Sequence, residues 1–261
     1  MDDNIKETLD EWVEKINKPD FINTDPVQFP RRFLSSAFFL PDIEITAFII
    51  SSITWGKREM ILRNAERILA RFGDSPYNYI MNKEYDTLGY ANIHRTFFEQ
   101  DLAYMLRGFE RIYSQHVSLQ DFLKRSFKEP QNATAWDICR VLCKEMEAAN
   151  CSANYKCFPC HFEFSALKRF NLALRWLVRN DGIVDLGVWN WMSPSQLYIP
   201  LDVHVGNVAR RIGILHRKSN DRKAVELLTN RLREFCPEDP VKYDFALFGM
   251  GIGNKKENNK Y

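Results

Sequence analysis

Glycine is scarce in this chain, with eleven among 261 residues against roughly 7% in an average protein. Sheet-rich folds use glycine in tight turns, and phosphate-binding loops need it for close approach of the backbone. The chain contains no G-x-x-x-x-G-K-[ST] sequence. Its only clustered glycines, Gly249, Gly251 and Gly253, do not lie between a predicted strand and a helix, which argues against a dinucleotide-binding loop. The scarcity therefore favours a helical protein.

Long apolar runs are also absent. The most apolar segment, residues 45–55, is too short to cross a bilayer and contains Thr and Ser. The chain begins with the sequence MDDN, without the positive charge and apolar stretch of a signal peptide. We therefore expect a cytoplasmic protein with no membrane partner, whose six cysteines are reduced thiols.

The composition is that of an ordinary globular protein, with 45% hydrophobic and 27% charged residues. The net charge of +2 is distributed unevenly, since residues 161–261 contain 16 Lys and Arg against 11 Asp and Glu. A mildly basic C-terminal part is compatible with a polyanionic partner, although the charge alone does not identify one.

Helical periodicity runs through most of the chain. Apolar residues three or four apart predict helices over residues 5–16, 43–54, 58–72, 101–116, 133–149, 165–178, 202–213, 221–235 and 239–250. Asp42 is the predicted N-cap of the second of these helices, which is apolar all round and belongs in the interior. Gly73 is the predicted stop after the third. No segment alternates with a period of two, so the sequence predicts an all-α fold.

The chain shows no internal repeat and no flexible linker. Residues 1–261 are therefore predicted to form one helical domain. Its most irregular part is residues 150–163, which we expect to join two lobes, residues 1–150 and 164–261. The expected architecture is thus a two-lobed helical bundle.

The segment IPLDVHVGNVARRIG, residues 199–213, is the most informative in the chain. Asp202 caps a predicted helix that ends at Gly213 and buries an apolar face. Its carboxylate would lie at the positive end of the helix dipole, which keeps it ionised. Two interpretations follow from the residues alone: Asp202 is an N-cap and nothing more, or it is a functional carboxylate.

The same segment resembles the one that carries the catalytic aspartate of the helix-hairpin-helix DNA glycosylases, where proline, an apolar residue and aspartate begin a helix. Nearly the whole chain also resembles an uncharacterised bacterial family, the domain of unknown function 2400, which is remotely similar to those glycosylases. The strings that carry this wider resemblance are residues 25–27 (DPV), 41–45 (PDIEI), 168–171 (KRFN), 174–176 (LRW) and 239–249 (DPVKYDFALFG). The glycosylase resemblance itself covers residues 165–250.

The resemblance implies a fold like that of the glycosylases and a function in DNA repair. Such an enzyme breaks the bond between a base and C1′ of deoxyribose, and a fixed carboxylate stabilises the oxocarbenium-like transition state. Bifunctional members add a lysine whose neutral amine attacks C1′ and forms a Schiff base. The base must first leave the stack and enter a pocket.

Carried over by position, the resemblance implies that Asp202 is this carboxylate and Lys168, at the start of the predicted helix, the nucleophile. The archaeal 8-oxoguanine glycosylase branch has a similar helix that begins with lysine, at a similar distance before its aspartate. A nucleophilic lysine needs a desolvated amine or neighbouring cations, which Arg169 and the apolar residues after it would provide. The alternative for Lys168 is a solvated charge at a helix start.

A basic cluster follows Asp202 in the chain. Together with Arg169, it is predicted to contact the phosphate backbone of DNA, through His204, Asn207, Arg210, Arg211, Arg217 and Lys218. A solvated helix face and loop is the equally open alternative. A nucleic-acid-binding protein without catalysis, built on the same helical scaffold, is accordingly the second functional hypothesis.

Four aromatic residues are candidates for stacking on an extruded base: Trp55, Trp189, Trp191 and Tyr198. Trp55 follows the predicted interior helix, at the place where glycosylases often line the base pocket. The other interpretation of each is an ordinary core residue, as we expect for Trp176.

Two features set the chain apart from the usual glycosylase pattern. The apolar-Pro-Gly-x-Gly hairpin that binds a DNA phosphate is degenerate, since residues 161–167 read HFEFSAL. A C-x5-C-x2-C-H sequence is also present, formed by Cys151, Cys157, Cys160 and His161. Zinc is one interpretation of these ligand types, but the paired C-x2-C spacing is missing. We therefore expect ordinary thiols and predict no metal and no cofactor.

Overall fold

The computed structural model describes residues 2–34, 39–154, 157 and 163–258. Within them the chain forms thirteen α-helices. The first eight are α1 (Asp2–Ile16), α2 (Pro19–Ile22), α3 (Gln28–Arg31), α4 (Leu40–Ser51), α5 (Arg58–Phe72), α6 (Pro76–Met81), α7 (Glu99–Tyr113) and α8 (Leu119–Ser126). The remaining five are α9 (Ala135–Asn150), α10 (Lys168–Val178), α11 (Val203–Arg211), α12 (Arg222–Phe235) and α13 (Tyr243–Asn258).

Short elements complete the described chain. Five 3-10 turns lie at Arg32–Leu34, Glu84–Thr87, Pro130–Asn132, Pro194–Gln196 and Pro240–Lys242. An antiparallel hairpin of β1 (Asn92–His94) and β2 (Phe97–Phe98) is the only sheet among the described residues, so the predicted all-α class is confirmed. The hairpin itself was not predicted, because strands of two or three residues are too short to show alternation. No helix within the described ranges is both long and apolar enough to cross a membrane.

Several helix ends lie where their capping residues place them. α5 covers the predicted range and ends at Gly73, which has the positive φ of 62° that glycine tolerates. Asp202 caps α11 by accepting a hydrogen bond from the N–H of Val205 at 2.9 Å, and Asp221 caps α12 in the same way. The predicted span of α5, its stop at Gly73 and the cap at Asp202 are confirmed.

The predicted cap at Asp42 is wrong. α4 begins earlier, at Leu40, because Pro41 suits the first turn of a helix, where no N–H is needed. Asp42 is instead buried within that turn and accepts hydrogen bonds from Ser75 Oγ at 2.9 Å and Tyr77 N at 2.7 Å. It therefore joins the start of α4 to the start of α6, and burial raises its pKa.

α4 lies at the centre of the core, as its apolar sequence predicted. It packs against α3, α6 and α10, and all its residues after Leu40 are buried. Glu44 is fully buried and accepts four hydrogen bonds, from Trp189 Nε1, the Tyr113 hydroxyl and the N–H groups of Leu119 and Gln120. The carboxylate thus accepts hydrogen bonds from backbone N–H groups in the first turn of α8, which have no acceptor within that helix. Burial raises its pKa to about 7.

Helices from the two ends of the chain pack together. α1 and α11 both lie against α13, and α7 lies against α9. Gly249 permits the close approach of α13 to α1, because a Cβ there would come within 2.5 Å of the Ile16 side chain and 2.9 Å of the Trp12 ring.

α4 and α10 pack together although they come from the two predicted lobes. The division into lobes stays a prediction.

Candidate active site at the start of α10

The candidate site lies where the first turn of α10 meets residues 52–55, the segment that follows α4. The backbone N–H groups of this segment all bond to preceding carbonyl groups, which leaves several of its own carbonyl oxygens to accept from side chains. Lys168 Nζ donates to the carbonyl oxygen of Thr54 at 3.1 Å. Arg169 Nη1 donates to that of Ser52 at 2.8 Å. Two consecutive cations thereby tie α10 to the end of α4.

Lys168 lies in surroundings that disfavour its charge. Burial lowers the pKa of its amine, and the Arg169 guanidinium acts in the same direction. Three carboxylates oppose this, in decreasing order Asp202, Asp244 and Asp25. No carboxylate oxygen of the described residues lies within 4.0 Å of the Lys168 amine nitrogen, which is the distance limit for an ion pair. Burial prevails, so Lys168 loses its proton more easily than an ordinary lysine.

Asp202 is the carboxylate with the strongest electrostatic influence on that amine. Its Oδ1 caps α11, while its Oδ2 accepts no hydrogen bond from the described residues. Its backbone carbonyl oxygen accepts from Asn220 Nδ2 at 3.0 Å. Gly206 makes room for this contact, because a Cβ there would come 2.7 Å from Asn220 Oδ1. The aspartate is therefore fixed by its helix and by the loop before α12, with one carboxylate oxygen left for a ligand.

Two further carboxylates near Lys168 were missed by sequence reasoning. Asp244, in the first turn of α13, is buried and paired with Arg175. Burial raises its pKa to about 6, and the charge of Asp202 adds to the rise. Asp25 is also buried and pairs with Arg58 at 3.3 Å. Both belong to strings that carry the family resemblance, and that is the signal from which they could have been found.

A cavity of about 320 Å³ opens beside Lys168 and Arg169. Phe48 and Phe170 give it an apolar wall, with ring centroids 5.5 Å apart. Asn220, which also bonds to the backbone of the capping aspartate, adds a polar group. This volume is at the lower end of the range for small-molecule pockets, so the cavity suits one compact planar group rather than a large ligand.

Residues 163–167 occupy the place of the degenerate hairpin. Leu167, the residue before α10, is buried and has a φ of 48°, a left-handed conformation that glycine adopts freely and leucine does not. Its N–H donates to Ser165 Oγ at 3.3 Å, and the Ser165 carbonyl oxygen accepts from Trp136 Nε1 at 3.3 Å. Side chains and core packing thus hold a turn for which glycine is the usual residue.

Trp55 is the aromatic candidate that contacts this site. The guanidinium of Arg169 lies over its ring, 4.9 Å from the centroid. The ring of His94 meets it edge-on, with centroids 4.8 Å apart and planes at 88°. Trp55 is half-buried, so part of its ring remains open to a ligand.

The other three aromatic candidates contact different parts of the molecule. Trp189 is buried against Phe48 and bonds to Glu44, with the half-buried Trp191 next to it at 6.0 Å. Tyr198 packs on Trp136, with ring centroids 4.6 Å apart. Within the described chain, the ring and hydrogen-bond contacts of these three do not include Lys168 or Asp202. Their role in a base pocket stays a prediction, and the separate prediction that Trp176 is core is confirmed.

Two of the predicted phosphate-binding arginines are already hydrogen-bonded to other residues of the chain. Arg210 donates to the Arg217 carbonyl oxygen at 2.7 Å and to Asn220 Oδ1 at 2.5 Å. Arg217 donates to Asp221 Oδ1 at 2.7 Å. These bonds shape the loop between α11 and α12, so the two side chains would have to give up contacts in order to bind a phosphate.

The remaining basic and polar candidates are exposed. His204, Asn207 and Arg211 lie three and four residues apart on α11 and share its solvent-facing side. Lys218 is exposed on the following loop. Arg169, in contrast, lines the cavity. The structure therefore separates the predicted contact residues into an exposed group, a loop-bound pair and one cavity residue.

The cysteine cluster falls partly outside the described residues, which include neither Cys160 nor His161. Cys157 is buried and donates from Sγ to the Asp101 carbonyl oxygen at 3.2 Å, and Cys151 is exposed. In the part of the chain that the structure describes, no three His, Cys, Asp or Glu side chains are arranged to hold a metal ion.

Comparison with known proteins supports one part of the resemblance. The model of a family described as "Protein of unknown function (DUF2400)" matches residues 25–253. The chain belongs to this family. No curated protein and no solved structure gives a match. The similarity of the DUF2400 chain to DNA glycosylases accordingly stays a prediction from its motifs.

Proposed function

We propose that this DUF2400 protein is a DNA glycosylase with a lyase step, which releases a damaged base with Lys168 as nucleophile and Asp202 as electrostatic stabiliser. The observation that carries the proposal is the state of Lys168: burial lowers its pKa, no described carboxylate is within ion-pair distance, and Asp202 is its strongest electrostatic partner. A lysine with a purely structural role is usually exposed or ion-paired. A depressed pKa beside a cavity is typical of a nucleophile.

The chemistry needs only Lys168, Asp202 and water. The neutral amine of Lys168 forms a bond to C1′ as the bond from C1′ to the base breaks, and a proton lost by the amine neutralises the leaving base. Asp202 stabilises the positive charge that develops on the sugar. Opening of the sugar ring, with a proton from water on the ring oxygen, leaves a protonated Schiff base on Lys168. In the lyase step, C2′ loses a proton to water as its electrons form a double bond to C3′ and the 3′ phosphate leaves. Water then hydrolyses the Schiff base and frees Lys168.

The surroundings of the pair fit an extruded nucleotide. The cavity next to Lys168 has the size and the apolar wall that one base requires. Trp55 offers a half-buried ring for stacking. The exposed face of α11, with His204, Asn207 and Arg211, lies on the helix that Asp202 caps, where it would meet the phosphates on either side of the extruded nucleotide.

The test is reductive trapping with the full chain. Duplexes that each contain one abasic site or one oxidised, alkylated or deaminated base are incubated with the protein and borohydride. We expect a covalent protein–DNA adduct with at least one of them, which disappears in Lys168→Gln and persists in the matched control Lys124→Gln, an exposed lysine on α8. Absence of any adduct and of base release with every duplex would overturn the proposal. An adduct that survives Lys168→Gln would overturn the assignment of the nucleophile alone.

A nucleic-acid-binding protein without catalysis is the second candidate, favoured by the exposed polar and basic row on α11. It predicts affinity for duplex DNA that falls steeply with salt, since each released counterion adds a slope of about one in a log–log plot. Fluorescence anisotropy at two salt concentrations measures this directly. Binding of this kind with no adduct and no base release would support the second candidate and contradict the first.

A further inference from the structure

A chain of hydrogen bonds connects the β-hairpin to the segment that holds Lys168. His94, in β1, is fully buried. Its Nε2 bonds to the Trp55 carbonyl oxygen at 2.8 Å, and its Nδ1 bonds to Asn64 Nδ2 at 2.9 Å. A carbonyl oxygen only accepts, so Nε2 carries the ring hydrogen and Nδ1 accepts from the amide of Asn64. Burial lowers the pKa of His94, which favours the neutral ring that this pattern requires.

The carbonyl oxygen that His94 binds belongs to the same four residues that hold the two cations of α10. Within residues 52–55, the carbonyl of Ser52 accepts from Arg169, that of Thr54 from Lys168 and that of Trp55 from His94. His94 also contacts the Trp55 ring, over which Arg169 lies. The segment is therefore fixed from two sides, by β1 and by α10, and a shift on one side moves the acceptor on the other.

We propose that His94 is a positioning residue for the Lys168 amine, which it acts on by fixing residues 52–55 so that the Thr54 carbonyl presents its oxygen to Nζ. The inference rests on the proposed function for the role of Lys168 as nucleophile. Its physical content is independent of that function, because it concerns where the amine is held.

The specificity of the contact argues for this role over simple core packing. An aromatic hydrocarbon would fill the space of a fully buried ring, with no need for two directed hydrogen bonds. His94 instead uses both ring nitrogens, one on the 52–55 segment and one on Asn64 of α5. Loss of these bonds frees the segment and lets water reach the amine. Since burial is the largest influence on the pKa of Lys168, that pKa then rises.

The experiment measures the reactivity of Lys168 without any substrate. The intact protein is labelled with acetic anhydride over a range of pH, and the acetylated Lys168 peptide is quantified by mass spectrometry. For His94→Phe we expect the pKa of Lys168 to rise by about one unit, with a corresponding loss of about tenfold in the rate of adduct formation at pH 7. His94→Gln, whose amide can donate to the Trp55 carbonyl, should restore most of the difference.

His116→Phe is the matched control, since His116 is a half-buried histidine that contacts Phe122 and Asp121. It should leave the labelling profile of Lys168 unchanged. If His94→Phe does not fold, Asn64→Ala replaces it, with a smaller rise in the same direction. A folded variant with the wild-type profile would overturn the inference. If the wild type forms no adduct with DNA but the labelling shift is present, the proposed function fails and the positioning role stands.

Discussion

The two ends of α10 hold their buried cations in opposite ways. At the C-terminal end, Arg175 and Arg179 both pair with the buried Asp185, at 3.2 and 3.0 Å. Burial opposes their charge, but the neighbouring carboxylates prevail and raise the pKa of each. At the N-terminal end, Lys168 and Arg169 donate to backbone carbonyl oxygens, and burial lowers the pKa of each.

This difference suits the arginines at one end of α10 to a structural role and Lys168 at the other end to a reactive one. A carboxylate in contact with a cation stabilises its charged form, so the paired arginines contribute to the fold as permanent charges. A carbonyl oxygen holds an amine in place without fixing its charge. Asp202 stays beyond ion-pair distance of Lys168 and still acts on it through the field, which is the arrangement that a nucleophile and a stabilising carboxylate require.

Removal of a paired arginine is expected to have the largest effect on stability. Arg175→Met leaves Asp185 and Asp244 buried without one of their cations, and should lower the free energy of unfolding by about 3–5 kcal/mol. Arg125→Met, which breaks the exposed pair with Asp121, should cost less than about 0.5 kcal/mol. Urea denaturation of both variants measures the difference. Equal losses would contradict the view that the C-terminal end of α10 holds the fold together.

Glu44 tests the comparison with a buried group of opposite charge. It is fully buried, accepts from four donors and has no cation in contact among the described residues. Its pKa is raised to about 7 in the folded state from an ordinary value of 4.5. The folded state therefore binds more protons than the unfolded state, and stability falls as pH rises between these values, by about 3 kcal/mol.

The measurement is the free energy of unfolding against pH for the wild type and Glu44→Gln. The difference between the two curves removes the contributions of all other groups. We expect the wild type to lose stability relative to the variant between about pH 4.5 and 7. A flat difference over this range would show that Glu44 titrates normally.

Substitutions at Asp202 separate its capping role from its charge. Asp202→Ala removes the cap of α11 and should lower stability by about 1 kcal/mol, whereas Asp202→Asn keeps the cap and should change it by less than half as much. Both remove the negative charge that raises the pKa of Lys168, so the labelling profile of Lys168 should move to lower pH in both. An unchanged profile in both variants would place Asp202 out of electrostatic contact with the amine.

No loss of stability is expected at Lys168 itself. Lys168→Met removes a cation that burial disfavours and keeps most of the side-chain volume, so stability should stay the same or rise by less than about 1 kcal/mol. Thermal unfolding of Lys168→Met beside Arg175→Met gives the direct contrast between the two ends of α10. A large loss at Lys168 would mean that this lysine supports the fold in the same way as the paired arginines.

Local signals in the sequence predicted much of the fold. The span of α5, its stop at Gly73 and the cap at Asp202 depend on residues within a few positions of each other, and the structure has them where the sequence placed them. The predicted cap at Asp42 is wrong because α4 begins earlier, at Leu40, and the carboxylate binds Ser75 and Tyr77 at the start of α6, more than 30 residues away. The β-hairpin escaped detection because each strand has three residues or fewer.

Sequence reasoning likewise found some residues of the candidate site and missed others. Lys168 and Asp202 were found through a family resemblance, and their electrostatic contact emerges only in the fold. Asp244 and His94 lie far from Lys168 in the chain, so no spacing in the sequence connects them to it. The bond of His94 to the Trp55 carbonyl could be found only with both elements in place.

The most direct test of the account is to identify the residue that forms the covalent bond. The adduct trapped by borohydride on a duplex with an abasic site is digested with protease and nuclease, and the modified peptide is sequenced by mass spectrometry. We expect the reduced sugar on Nζ of Lys168, with a rate of adduct formation that rises as the pH approaches the lowered pKa of that amine. An adduct on another amine, or none in a folded protein that binds the duplex, would contradict it.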